Sequence, residues 1–283
     1  MRRVPLAAVP LAFAGCTGGS ESDRAPCELG IAVTADGEAH TTLPAAVERA
    51  LQLDGVVDVC PGTHEVEGRL DDTPASTSPT PVLIRGTGRD TTQLVGTGEG
   101  VFGGNHKRPV TITDLAIADS VAEWASDECS APGESDVECD DPFNHDDQPE
   151  GALQAWGSWE FRRVRISDNS GYWGGAVTIP QPPEGISSTV LFIDSEILRN
   201  SAVDDTRGGA VLVDYNDDWG PRGELTITSI NTDWGEGGDD NAPDDIAFAS
   251  WDGYFHDSLV VHASYRFDGV ADFTCDALAY TCE

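Results

Sequence analysis

Ile166-Ser167-Asp168-Asn169-Ser170, followed by Gly174-Gly175-Ala176-Val177, is repeated as Ile197-Leu198-Arg199-Asn200-Ser201 and Gly208-Gly209-Ala210-Val211. The Asn-Ser pair recurs after 31 residues (169 to 200) and the Gly-Gly pair after 34 (174 to 208). Short β-rich runs between polar turns, repeated at this interval, are the mark of a solenoid. Each copy opens on a strand: Val164-Arg165-Ile166 in the first, Val190-Leu191-Phe192-Ile193 and Ile197 in the second. These runs are β-branched or aromatic and about half apolar, as strands with one buried face are.

The phrase favours a parallel β-helix. Asn-Ser ends the strand, because a short polar side chain bonds to nearby backbone and tolerates a left-handed conformation. Gly-Gly is expected to turn the backbone at positive φ, and Ala-Val starts the next strand. Stacking the copies brings Asn169 beside Asn200, so their amides are expected to form a ladder along the axis. A helical repeat is the rival, but this stretch has no apolar 3.6-residue period and much Gly, Pro and Asp.

The paired Gly-Gly-Ala-Val and Asn-Ser units resemble the repeats of right-handed parallel β-helix proteins of the polymorphic outer-membrane-protein type. Asp54-Gly55-Val56-Val57-Asp58-Val59-Cys60-Pro61-Gly62-Thr63-His64 resembles the first-coil signature of the pectate-lyase-like superfamily. The resemblance spans roughly residues 43 to 248. It implies a fold more than an activity, since this fold carries lyases, hydrolases, adhesins and inert surface proteins alike.

The 283 residues hold 16 Lys plus Arg against 50 Asp plus Glu, a net charge of −34. That charge argues strongly against nucleic acid or an anionic lipid surface as the partner. It suits a solvated exterior, cations or a salty medium. Arg2 and Arg3 precede a short apolar run, Val4 to Phe13, and then Ala14-Gly15-Cys16. This resembles a bacterial lipoprotein signal, which implies cleavage before Cys16 and lipid on that residue; ordinary signal-peptide cleavage is the alternative. Residues 1–15 are then a signal peptide, 16–40 a tether and N-terminal arm, and 41–283 one β-helix domain with an acidic insertion at 121–150. Of seven cysteines, six remain once Cys16 is lipidated, an even number suited to an oxidising compartment. Proximity suggests Cys129 with Cys139 and Cys275 with Cys282, leaving Cys27 for Cys60, out of the 15 pairings six cysteines allow. Zinc is the alternative, but no Cys-x-x-Cys pair is present.

Along the chain, Leu43 to Leu53 reads as a helix, with Thr42 as N-cap and Leu43, Ala46, Val47, Ala50 and Leu51 on one face. It is expected to cover the open end of the solenoid core. Strands follow at Val56 to Cys60, Val82 to Gly86, Thr92 to Gly96 and Val110 to Ile117, with a Pro/Ser/Thr-rich loop at Thr73 to Pro81. Asp119-Ser120 stands for Asn-Ser, Gly151-Ala152-Leu153 for Gly-Ala-Val, and later Asp244-Asp245-Ile246-Ala247-Phe248 for Gly-Gly-Ala-Val. Residues 258 to 268 alternate, with Leu259, Val261, Ala263, Tyr265 and Phe267 on one face. Counted this way, the solenoid has roughly seven to nine coils.

Three features bear on chemistry. The acidic loops 127–147, 214–218 (Asp214, Asn216, Asp217, Asp218) and 239–245 (Asp239, Asp240, Asn241, Asp244, Asp245) offer oxygen ligands of the kind calcium takes. None matches an EF-hand or a Gly-Gly-x-Gly-x-Asp nonapeptide, and plain solvated loops explain them as well. Arg163, Arg165 and Arg199 lie beside Asp168, Asp194 and Glu196, and Arg165 and Glu196 are 31 apart, the interval of neighbouring coils. The superfamily's lyases combine acids at calcium with an Arg or Lys base, and its hydrolases use clustered Asp. The plainer reading is a cross-strand charge pair on the solvent face. Tyr172, Trp173, Trp219 and Trp234 suggest an edge of flat platforms for sugars or a protein partner, or else rings packed over the strands beneath. The expectation is an all-β, right-handed parallel β-helix with an N-terminal capping helix, monomeric, lipid-anchored or secreted at a bacterial cell envelope. It has no catalytic residues, cofactor or resident metal assigned, and presents loops to a glycan, a cation or a surface protein. A calcium-dependent polysaccharide lyase or glycoside hydrolase is the alternative.

Overall fold

The computed structural model describes residues 26–67, 81–97, 101, 108–121, 152–171, 174–202, 208–215, 221–252 and 258–283. Most of its strands lie in three parallel stacks, beside a short parallel pair, Ser170–Gly171 with Ser201–Ala202. The first takes Val56–Val59, Val82–Arg85, Val110–Thr113, Trp159–Arg162, Ser187–Ile193 and Glu224–Asp233 in that order. The second takes Gly62–Glu67, Thr92–Thr97, Ala116–Ala118, Arg165–Ser167 and Glu196–Leu198, and joins the first where Glu196 meets Asp233. The third takes Leu153–Gln154, Val177–Pro180, Gly208–Tyr215 and Asp244–Asp252. In its middle, the chain visits the stacks in rotation. The protein is all-β in class, a curled sheet of mainly parallel strands, compatible with a β-helix-like winding.

Parallel register sets like residues over like. Ile84, Ile112, Phe161, Phe192 and Ile227 from the first stack, Leu94, Ile117, Ile166 and Ile197 from the second, and Val177, Val211 and Ile246 from the third share one buried core. Rings continue from coil to coil: Phe161 stacks on Phe192 at 5.0 Å, and Phe192 meets Trp234 edge-on at 5.5 Å. Trp234 is therefore no surface platform. It is fully buried, and its indole N–H donates to Ser229 Oγ at 3.0 Å. Tyr172, Trp173 and Trp219 lie outside the described residues.

Both ends of the core are covered. Helix α1, Leu43–Leu51, buries Leu43, Ala46 and Ala50 against it. Thr42 Oγ1 accepts from Ala45 N, and Gly55, at φ 78°, donates its N–H to Ala50 O. The helix thus stops two residues short of the expected Leu53, which is exposed. The N-terminal arm is laid onto the sheet: Ala32–Thr34 runs antiparallel to Val56–Val59, and a disulfide ties Cys27 to Cys60. At the far end the chain turns back. Ser258–Tyr265 runs antiparallel on Asp244–Asp252, Val270–Asp276 runs antiparallel on Glu224–Asp233, and Cys275 is bonded to Cys282. The first stack consequently holds six parallel strands among the described residues, fewer than the seven to nine coils expected. The alternation read over 258–268 belongs to this covering strand. Residues 1–25, with Cys16, and Cys129, Cys139 and most of the 121–150 insertion lie outside the described residues.

The repeated phrase holds the coils together in a way its sequence only half announces. Asn169 Nδ2 donates to Asn200 Oδ1 at 2.9 Å, and Asn200 Nδ2 donates to Asn241 Oδ1 at 3.0 Å. Each amide also donates back to a carbonyl of the preceding coil: Asn169 to Ile117, Asn200 to Ile166, Asn241 to Ile197. The left-handed residue is the one before the Asn: Asp119, Asp168 and Arg199 have φ of 57°, 59° and 54°. Ala118 faces Ser167, so Ser120, not Asp119, stands level with Asn169, and its N–H donates to Asn169 Oδ1. Gly174, Gly175, Gly208 and Gly209 do not turn at positive φ. Their reason is crowding: a Cβ on Gly175 would lie 2.0 Å from Gly209 O, and one on Gly209 would lie 2.4 Å from Ala242 N.

A candidate binding groove

Each middle coil has two left-handed corners with a three-residue strand between them. The first corner is occupied in successive coils by Asp114, Arg163, Asp194 and Asn231, the second by Asp119, Asp168 and Arg199. Asp and Asn accept this conformation cheaply, but arginine does not. The structure offsets the cost with two-pronged ion pairs to the same corner of the coil before. Arg163 Nε and Nη2 donate to Asp114 Oδ1 and Oδ2 at 2.7 and 2.8 Å. Arg199 does the same to Asp168 at 2.6 and 2.7 Å. Fork-to-fork pairing of this kind is among the stronger polar contacts available.

The strands between the corners are Ala116-Ile117-Ala118, Arg165-Ile166-Ser167 and Glu196-Ile197-Leu198. The central isoleucine of each points into the core, so the flanking residues point outward. Together with Gly62, Thr63, the turn 89–93 and Asp233 they line a groove of about 560 Å³. Most of its charges are paired. Arg165 Nε donates to Glu196 Oε2 at 2.6 Å, and Arg199 reaches Asp239 as well as Asp168. Gln93 Nε2 donates to Asp119 Oδ2 at 2.9 Å. The Arg165–Glu196 neighbours expected from the 31-residue interval are thus placed on adjacent strands, and Arg163 is bonded to Asp114. The groove also contains Arg89 and Asp90, which reading by repeats passed over because their turn lies outside the repeated phrase.

The electrostatics follow from the pairing. Hydrogen bonds from Arg199 hold the Asp168 carboxyl below the usual range, and those from Arg163 do the same to Asp114. The hydrogen bond to Glu196 raises Arg165, and the bond to Asp168 raises Arg199. Acid–base catalysis calls instead for a group poised near the working pH. A carboxyl pushed up to about 6 does occur, at Asp245, where burial outweighs the hydrogen bonds it accepts. Asp245 is fully buried and closes the amide ladder, outside the groove: Oδ1 accepts from Asn241 Nδ2 at 2.8 Å and Oδ2 from Phe267 N at 2.6 Å.

The acidic loop 239–245 is consumed by coil-to-coil contacts. Asp239 pairs with Arg199, Asp240 with Arg266, and Asn241 and Asp245 belong to the ladder. Of 214–218 only Asp214 and Tyr215 are described, and 127–147 lies outside. Among the described residues no group of three or more His, Cys, Asp or Glu is arranged to hold a metal ion. No family model, no curated protein and no solved structure matches this chain.

Proposed function

We propose that the chain winds as a right-handed parallel β-helix, lipid-anchored through Cys16 or secreted at a bacterial envelope, and acts there as a non-catalytic binder whose groove takes up a glycan. One observation carries the reading. The groove is a concave strip along several coils, walled by Arg, Asp, Glu, Gln and Thr side chains. Planar, fixed donors and acceptors of that kind match the hydroxyl pairs of a sugar, and the coil spacing of about 4.8 Å is close to the length of one pyranose unit. Commitment of Asp168 and Glu196 to arginines favours binding over acid–base chemistry. The net charge of −34 supports a non-nucleic-acid partner and a solvated exterior.

The test is calorimetric titration of the purified protein with neutral and acidic oligosaccharides, alongside assay for new reducing ends and unsaturated products with calcium or with chelator. Binding without turnover is expected, lost in Arg165→Ala and kept in Arg85→Ala, whose partner Asp58 lies outside the groove. Calcium-dependent turnover of any polymer would replace this reading with the lyase or hydrolase. Absence of glycan binding across the panel would remove the glycan and leave a surface protein or a cation as the partner.

A further inference from the structure

The groove carries a contact that its coils do not need. The turn Thr87–Thr92 leans over the neighbouring strand, where Gly88 N donates to Asp114 O, and its two charged side chains extend further, Asp90 to Arg165 and Arg89 to Glu196. Gln93, Ala116, Arg165 and Glu196 lie side by side in register, so the contact with Glu196 joins parts of the sheet three strands apart. Arg89 Nη2 lies 2.7 Å from Glu196 Oε1, and Arg165 Nη1 lies 2.9 Å from Asp90 Oδ1. Arg165 also holds Glu196 directly at 2.6 Å. Arg89 and Asp90 are neighbours in sequence, so the four charges close a ring of alternating sign, Arg89–Glu196–Arg165–Asp90, over the groove.

The backbone under the ring is fixed. Gly88, at φ 144°, donates its N–H to Asp114 O at 2.7 Å. Thr91 N and Thr92 N both donate to Gly88 O, Gly62 N donates to Thr91 O, and the Thr87 hydroxyl contacts those of Thr91 and Thr92 at 2.9 Å. Movement is therefore confined to the side chains at the tip. Below them the outward-facing floor residues are small and almost sealed from solvent: Ala116, Ala118 and Ser167 are 4, 6 and 2% exposed. Small residues on the outer face of a sheet are covered by the longer side chains around them, and those that share this lining include Arg89, Asp90, Arg165 and Glu196.

We propose that Arg89 and Asp90 form a side-chain gate across the groove, held shut by the charge ring with Arg165 and Glu196. The proposal rests on the groove being the binding site and adds how entry to it is controlled. The gate opens by rotamer change, with the turn as a rigid post. Its ion pairs are partly exposed, with Asp90 the most open of the four groups, so salt weakens them. A ligand gains access by supplying donors and acceptors to the four groups it separates.

The test needs no glycan. Ser167→Cys places a thiol on the floor of the full-length protein, and its alkylation rate, assigned to that residue by peptide mass, reports the open state. Alkylation is expected to quicken about fivefold between 0.05 and 1 M NaCl, and about tenfold in a background of Arg89→Ala with Asp90→Ala, where the salt dependence disappears. Arg85→Ala, which removes an ion pair of the same class outside the groove, is expected to leave the rate unchanged. Equal rates with and without the Arg89 and Asp90 side chains would overturn the gate. Should Ser167→Cys fail to fold by circular dichroism, Ala118→Cys gives the same reading. Faster alkylation with no glycan bound would keep the gate and remove the glycan; glycan binding with an unchanged rate would do the reverse.

Discussion

At the residue scale, the buried amides decide more than the charges do. Asn200 is fully buried and satisfies three groups of neighbouring coils at once: the N–H and Nδ2–H of Asn169 and the carbonyl of Ile166. Asn200→Ala leaves these without partners in a medium where each costs about 1–3 kcal/mol. A loss of about 3 kcal/mol or more is expected in urea denaturation, against near-neutral change for alanine at an exposed polar site. Asp245 closes the same ladder and brings a pH dependence. Its folded pKa of about 6 lies above the unfolded value near 3.9, so its contribution to stability is fully present below about pH 4 and is lost as pH rises through 6. Asp240 pushes in that direction and Arg266 against it. Asp168 and Asp114, held low by arginines, act oppositely and lose their contribution as pH falls. The comparison is therefore with Asp245→Asn: from pH 4 to pH 7 the native protein is expected to lose roughly 2–3 kcal/mol relative to the variant. A parallel pair of stability curves would show that Asp245 does not titrate in this range.

At the scale of the element, the Gly-Gly pairs and the corners set how closely coils approach. A Cβ on Gly209 would fall 2.4 Å from both the N and the O of Ala242, which is backbone and has nowhere to go. Gly209→Ala is expected to cost about 3 kcal/mol by displacing the coil that follows. Gly238→Ala, where no atom lies within 4 Å of the new Cβ, is the control and is expected to be close to neutral. The corners show the complementary device. Arginine at φ 54° is a poor choice for a left-handed turn, and it persists at 163 and 199 because the turn aims its guanidinium along the stack at an aspartate one coil away. At 199 the same geometry builds part of the groove wall, with Asp168 beside it.

At the scale of the whole molecule, two electrostatic effects compete. Ion pairs between coils, such as Arg85–Asp58, Arg163–Asp114 and Arg199–Asp168, are partly exposed and each contributes about 1 kcal/mol or less. Against them stands the self-repulsion of a net charge of −34. Salt weakens both, and repulsion summed over 50 acidic residues outweighs a few surface pairs. The melting temperature is accordingly expected to rise between 0.05 and 1 M NaCl in a thermal scan. A fall would mean that the arginine pairs prevail over the repulsion.

The sequence by itself determined the all-β class, the stacking of Asn169 on Asn200, the covering helix from Leu43, and the closeness of Arg165 to Glu196. Each of these follows from local pattern or from the repeat interval, and a parallel register carries residues one interval apart onto neighbouring strands whatever the rest of the chain does. The tertiary structure alone decided the others. Trp234 reads in sequence as either a platform or a packed ring, and it is buried because the C-terminal stretch, with Phe267 and Phe273, packs over it. The Gly-Gly pairs look like turns and are contact points, since their need comes from the backbone of the next coil rather than from their own φ. Arg89 and Asp90 belong to no repeat, and only the winding of the sheet sets them across the groove from Glu196. Local pattern records what a residue prefers; which distant group it meets is settled by how the coils stack.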